Sequence, residues 1–182
     1  AQPQFDLRIP DYASRRLALE GWITHEAIAR ALTLAGEDYA ALKQAAVQRG
    51  FAARPLGLRV SVGVRNDVSE RVSYNVVGRL TGRAQPDEAF VYTAHWDHLG
   101  TGTGDGDAVF NGASDNATGV AALIELGRAF AQTRPRPRRS VLFAAVTLEE
   151  TGLLGSQYFA EHPPLPVSKM AGGLNMDNLA PI

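Results

Sequence analysis

The stretch Phe90-Val91-Tyr92-Thr93-Ala94-His95-Trp96-Asp97 decides how this chain is read. A strand-forming run ends on an imidazole and a carboxylate, and the same arrangement recurs downstream. Val141 to Val146 leads into Glu149-Glu150, and Met170 to Met176 leads to Asp177, although Gly172-Gly173 weaken that last strand signal. Asp115 opens a long helix after the first of these strands. In an open α/β sheet, the C-terminal ends of parallel strands and the N-termini of the following helices lie on one side. Ligands bind in the crevice there. Residues scattered over eighty positions thus converge on one expected site holding an imidazole and several carboxylates.

Such a cluster is unfavourable without a cation. Carboxylates a few ångströms apart repel, and each ionisation raises the pKa of the next. A dication removes the conflict, and imidazole mixed with carboxylate suits zinc better than calcium or magnesium. Four or five ligands exceed what one catalytic zinc with an open position needs. They suit two metals sharing a bridging carboxylate, roughly 3.5–4 Å apart, an arrangement that activates water. The residues alone point to metal-assisted hydrolysis.

The 182 residues give one domain with a real core rather than two. A net charge of −1 offers no electrostatic reason to expect nucleic acid or anionic membrane as partners. The basic run Arg134 to Arg139 reads as a solvated connecting loop. With no cysteine, thiolate and disulfide chemistry are excluded. No run reaches the roughly 20 apolar residues of a membrane span.

Along the chain, Thr24 caps a helix to about Leu34, with Ile28, Ala31 and Leu32 on one side, and Gly36 ends it. A second helix spans about Asp38 to Gln48, with Gly50 as its C-terminal cap. Leu58 to Val64 alternates apolar and polar residues, as a half-buried strand does. Val72 to Leu80 reads as another strand and Thr81 to Glu88 as a turn. The order then runs strand 90–94, loop 98–113, helix 116–131, strand 140–147, helix 153–161, strand 170–176. This alternation predicts an α/β, three-layer sandwich around a mainly parallel mixed sheet. Residues 1–55 form an accessory helical segment, and residues 56–182 the catalytic part. The glycine-rich loop 100–107 lacks both a dinucleotide fingerprint and a phosphate-loop ending, so it reads as flexible backbone near a site. Asp105 and Asp107 read as turn carboxylates.

The strings Thr93-Ala-His-Trp-Asp-His-Leu-Gly100, Asn111-Gly-Ala-Ser-Asp-Asn-Ala-Thr-Gly119, Leu148-Glu-Glu-Thr-Gly-Leu-Leu-Gly-Ser156 and Asn175-Met-Asp177 closely resemble the co-catalytic zinc aminopeptidases of peptidase family M28. The gaps fit too: 18 positions from Asp97 to Asp115, 34 to Glu149, and 27 from Glu150 to Asp177. The resemblance spans about residues 70–182; residues 22–65 more weakly resemble the exit of a protease-associated insert. It implies a zinc exopeptidase-like fold with two zinc ions. Its metal ligands would be His95, Asp115, Glu150 and Asp177, with Asp115 as the bridge. Glu150 would complete the shell of the metal held by His95, and Asp177 would bind the other. Glu149 would be the catalytic base, and Asp97 would hold the free ring nitrogen of His95. Asp115 would double as the N-cap of its helix, and the Asp115–Asn116 peptide would be cis.

In one respect the chain departs from that pattern. The second metal's further histidine is missing, since none of His25, His95, His98 and His162 sits where it belongs. His98 reads as a site-rim or structural residue. The resemblance therefore implies a fragment of a longer member, truncated at its C-terminus, and a partner in the remaining part of its own domain. The reading that follows is a zinc aminopeptidase acting on peptide substrates, secreted, periplasmic or at the cell surface. Its rival is a catalytically silent metal-binding or interaction module. Carboxypeptidases and glutaminyl cyclases share the scaffold.

Overall fold

The computed structural model describes residues 4–10, 17, 19–104 and 106–179. Its contacts divide the chain into two units, Ile9–Ser69 and Ala1–Arg8 with Glu70–Ile182. The first unit carries α1 (His25–Leu34) and α2 (Tyr39–Ala46). The Thr24 hydroxyl accepts from Ala27 N–H and the Asp38 carboxylate from Ala41 N–H, so each cap satisfies a donor that the first turn cannot. Gly36, at φ +74°, ends α1. It lets the Gly36 and Glu37 amides reach back to the Thr33 and Leu32 carbonyls. Gly50 lies beyond the helix end at Val47 and caps nothing. Residues 58–64 form no strand and are exposed throughout. Their alternation has neither a ladder partner nor a core face, and without these a period of two does not make a strand.

The second unit contains β1 (Val76–Leu80), β2 (Gln85–His95), β3 (Gly100–Thr101), β4 (Val109–Phe110), α3 (Thr118–Gln132), β5 (Arg139–Val146), α4 (Leu154–Glu161) and β6 (Met170–Asn175). The main sheet has the order β1-β5-β2-β6, with β2 parallel to both neighbours and β1 antiparallel to β5. Alternation along the strands separates two apolar layers. Ala89, Val91 and Leu142 face Phe159 of α4, whereas Ala94 packs with Leu123, Val120 and Leu126 of α3. Helices on opposite faces make the predicted three layers.

Three sequence boundaries move, the first being β1, which begins at Val76 rather than Val72. β2 begins at Gln85 rather than after a turn ending at Glu88, and its register slips between Gln85 and Ala89. Pro86, which has no amide to donate, lies in that irregular stretch, and its carbonyl accepts from Ser140 Oγ. The expected loop 98–113 holds the short antiparallel ribbon β3–β4. Asp107 is a turn carboxylate there, accepting from Val109 N–H, while Asp105 lies outside the described residues. The paired glycines that blur β6 have a packing role. A Cβ on Gly172 would come 2.9 Å from the Phe90 ring.

The register levels the site. His95 pairs with Val146 across the parallel ladder, and Thr93 with Asn175. The ladder continues past the strand ends through Trp96 N–H to Val146 O and Met176 N–H to Thr93 O. His95, Asp177 and the Glu149 turn therefore emerge at one height, on one edge.

Candidate metal centre

His95, the last residue of β2, is 2% exposed. Its Nδ1 lies 3.0 Å from the Asp97 main-chain oxygen. A carbonyl only accepts, so Nδ1 carries the hydrogen and the neutral ring presents a lone pair at Nε2. That lone pair faces Asp115 Oδ1 at 3.0 Å and Asp177 Oδ1 at 3.3 Å. Acceptor meets acceptor, a geometry that only a cation or a proton resolves. His95 Nε2 and Asp115 Oδ1 are accordingly buried atoms without a hydrogen-bond partner. The donor set of one imidazole and two carboxylates fits zinc with a position to spare.

Asp97 holds the free ring nitrogen of His95 as expected, but through its main-chain oxygen rather than its carboxylate. Its carboxylate stands 3.8 Å from His95 Nδ1 and accepts instead from the Glu149 amide, at 3.1 and 3.3 Å. The main chain at Asp97 fixes the imidazole and its side chain fixes the Glu149 turn, because a two-residue reach from the strand end brings the carbonyl closer than the carboxylate.

Asp115 sits in an irregular turn, Ala113–Ala117, where Asp115 (φ −112°, ψ 93°) and Asn116 (φ −137°, ψ 43°) leave the helical region and their peptide is cis. Asp115 caps nothing, since its carboxylate is turned to His95. Buried Asn116 takes over the cap. Its Oδ1 accepts from Gly119 and Asn178, and its Nδ2 donates to the Met176 carbonyl. One amide thus ties the start of α3 to the segment bearing Asp177. Gly119 admits no side chain, for a Cβ there would meet that same amide oxygen at 2.5 Å.

Glu149 and Glu150 diverge at a turn that begins with Leu148 at φ +53°. The turn is held from below. The Asn75 side chain bonds the Thr147 amide and the Gly155 carbonyl, and Gly155 N–H donates to Thr147 O. Glu149 Oε2 comes 3.9 Å from His95 Nε2 and borders a cavity of about 280 Å³. Glu150 points elsewhere. Its Oε1 lies 2.6 Å from Nδ1 of His98, and these two atoms are likewise buried and without a hydrogen bond.

The grouping therefore differs from the implied one. Asp177, not Glu150, shares the first locus with His95 and Asp115, while Glu150 joins Asp115 and His98. The reason is register, because β6 lies directly beside β2 whereas Glu150 lies one residue beyond the Glu149 turn. His98 is the group that sequence reasoning missed as a potential ligand. The available signal was its place in the His-Trp-Asp-His run, one step after Asp97 as Glu150 follows Glu149.

Two ionisations are displaced. Burial opposes protonation of His95, but it is outweighed by the bond to the Asp97 carbonyl and by the Glu149, Asp177 and Asp115 carboxylates, so the ring titrates above its usual range. Burial raises Glu149; His95 opposes this, while Asp177, Glu150 and Asp115 reinforce it. A carboxyl held upward beside carboxylates is suited to exchange protons.

The profile of peptidase family M28 matches residues 75–181. A probable zinc metalloprotease of Pyricularia oryzae is 39% identical over 136 residues, covering 71% of this chain and 27% of that protein. The mouse aminopeptidase NAALADL1 is 36% identical over 111 residues, covering 59% of this chain and 14% of its own. The chain thus spans about a quarter or less of these two relatives. Among solved structures, a zinc aminopeptidase from Bacillus subtilis overlays with a TM-score of 0.46 at 24% identity, covering 57% of this chain and 24% of that one. The turn carrying Glu149, the irregular turn at Asp115 and the strand ends at His95 and Asp177 all fall within the matched segment, and the chain belongs to peptidase family M28.

Proposed function

We propose that this chain carries the metal-binding edge of a zinc-dependent exopeptidase that removes N-terminal residues from peptides, with Glu149 as general base. Zinc, when bound, polarises a carbonyl and acidifies water. The supporting observation is the position of Glu149. It faces the first locus from 3.9 Å, belongs to neither cluster of converging ligand atoms, and is raised above the usual carboxylate range. Its Oε2 takes a proton from the attacking water and returns it to the leaving amine. Asp97 keeps Glu149 in place through the main-chain amide, and the Asp97 carbonyl keeps His95 Nε2 free as a ligand. His95, Asp115 and Asp177 would hold one ion, and Asp115, which also lies close to Glu150, would be the carboxylate available to a second. Residues 1–55 are the accessory segment leading into this domain.

The test compares Glu149→Gln with Glu150→Gln for zinc content and for hydrolysis of free and N-acetylated aminoacyl-p-nitroanilides, in this chain and in a longer parent polypeptide. Glu149→Gln is expected to keep its zinc and lose about 10²–10⁴-fold in turnover. Glu150→Gln is expected to lose metal. Zinc lost from the Glu149 variant, or turnover left intact, refutes the assignment. Equal cleavage of acetylated substrate refutes the aminopeptidase reading.

A further inference from the structure

The end of the sheet opposite the metal edge is basic. β1 leaves the sheet at Leu80, and β2 enters it at Gln85 beside Arg139, the first residue of β5. The segments 79–88 and 133–139 at this end contain six arginines and two carboxylates, although the whole chain carries −1. That net value averages a basic edge with the acidic one that holds Asp97, Asp115, Glu149, Glu150 and Asp177, and so conceals both. We propose that Arg79, Arg83, Arg136 and Arg138 form a docking surface for anionic phospholipid. The length of β2 sets this surface about 30 Å from the metal edge, which stays open to peptides while the opposite end rests on headgroups.

Four observations carry it. The first is pairing. Arg139 is matched by Glu88 at 2.7 Å, whereas among the described residues Arg79, Arg83, Arg136 and Arg138 have no carboxylate within ion-pair distance. All four are exposed, and Asp87 is the one acidic residue left in these segments.

The second is rigidity. Residues 134–138 alternate arginine with proline, whose φ is fixed. This strap is hydrogen-bonded to the β1–β2 turn: Arg83 N–H donates to the Pro137 carbonyl, and the Ala84 and Gln85 amides donate to that of Arg138. Gly82 lies so close that a Cβ there would stand 2.6 Å from Arg138 O. The basic run is thus a fixed strap rather than a free solvated loop, and it loses little entropy on meeting a ligand.

The third is spare donors. Arg79 and Arg83 each give one N–H to a carbonyl, of Pro86 and Arg136 respectively, and a guanidinium has five. Arg134 differs, for it bonds the Ala131 and Thr133 carbonyls at the end of α3 and is spent there. The fourth is composition. Arginine suits phosphate oxygens better than lysine does. Neither segment holds an aromatic residue, so the stacking that single-stranded nucleic acid uses is absent. Four charges spread over two segments suit a surface of many headgroups rather than one small anion.

The experiment co-sediments the chain with phosphatidylcholine vesicles, with and without phosphatidylglycerol. Wild type is compared with the double variants Arg136→Gln/Arg138→Gln and Arg136→Lys/Arg138→Lys, all checked for fold by circular dichroism. Wild type is expected to bind the anionic vesicles alone, and to be released at about 1 M salt, where the screening length falls to about 3 Å. The glutamine pair is expected to weaken binding about 25-fold, or about fivefold per arginine, and the lysine pair to recover most of it. A chelator is expected to change nothing. Equal binding to neutral vesicles, no binding to either, or equal losses in the two double variants overturns the proposal. Loss on chelation also overturns it, because the phosphates would then be reaching bound metal. Release by millimolar inorganic phosphate at constant ionic strength would point to a single-anion site, and binding of heparin but not of vesicles to a glycan partner; either result rejects the lipid surface.

Discussion

At the scale of single residues, the candidate centre depends as much on Asn116 as on its charged neighbours. Asn116 is buried and makes three hydrogen bonds, to Gly119, Asn178 and Met176. Replacing it with alanine leaves these main-chain groups without partners, each worth about 1–3 kcal/mol when buried. Asn116→Ala is expected to destabilise the domain by about 2–4 kcal/mol in urea unfolding and to weaken zinc binding, because the Asp177 segment loses its tie to α3. An unchanged midpoint would show that the amide is dispensable. The candidate residues at the strand ends, His95, Asp115, Glu149, Glu150 and Asp177, were legible from sequence because strand ends and carboxylates mark themselves, whereas His98 was not. Asn116 was legible in principle, standing three residues before Gly119 as an N-cap does, but Asp115 competed for that role. The competition is decided by charge. A carboxylate drawn to the His95 locus is not free to cap, and the neutral amide beside it is.

At the scale of elements, glycines that look like strand or helix breakers are points of close approach. Gly155 opens onto the Thr147 carbonyl and Asn75 Oδ1, leaving no room for a methyl group beneath the Glu149 turn. Gly127, within α3, has nothing within 4 Å of where its Cβ would stand. Gly155→Ala is expected to destabilise at the upper end of about 1–3 kcal/mol, since backbone must shift. Gly127→Ala is expected to stabilise by about 0.5–1 kcal/mol through helix propensity. Thermal denaturation of the pair tests the contrast, and similar shifts for both would refute it. The same physics explains which elements were legible. β2 and β5 are covered on both faces, so their apolar runs read directly as strands. β6 was harder because Gly172 makes room for the Phe90 ring. The segment 58–64 misled in the opposite direction: its alternating pattern is right for a strand, but pairing is a property of neighbours, which one stretch of sequence does not contain.

At the scale of the whole unit, parallel register concentrates charge. Asp97, Asp115, Glu149, Glu150 and Asp177 gather at one edge of the sheet around His95 and His98 because β2, β5 and β6 end level. The gathering was legible in the order of strands and helices; how the carboxylates divide between two imidazoles was not, since that depends on which strand lies next to which. Without a cation the edge is a source of repulsion; Glu149 is displaced upward first by burial, and its acidic neighbours Asp177, Glu150 and Asp115 add to that displacement. Metal binding should therefore be felt as stability as well as activity. A ligand at 100 times its dissociation constant adds about 2.7 kcal/mol. For a domain of this size that corresponds to a rise in Tm of roughly 5–10 °C. Removing metal with a chelator is expected to lower Tm by that amount in differential scanning calorimetry, and excess zinc to restore it. Asp177→Asn should reduce the zinc-dependent gain while raising the Tm of the metal-free chain, because it removes one repelling charge and keeps the side chain's size. A metal-free Tm that falls instead would mean the carboxylates are held by contacts that outweigh their repulsion, and the case for a cation at this edge would lose its electrostatic basis.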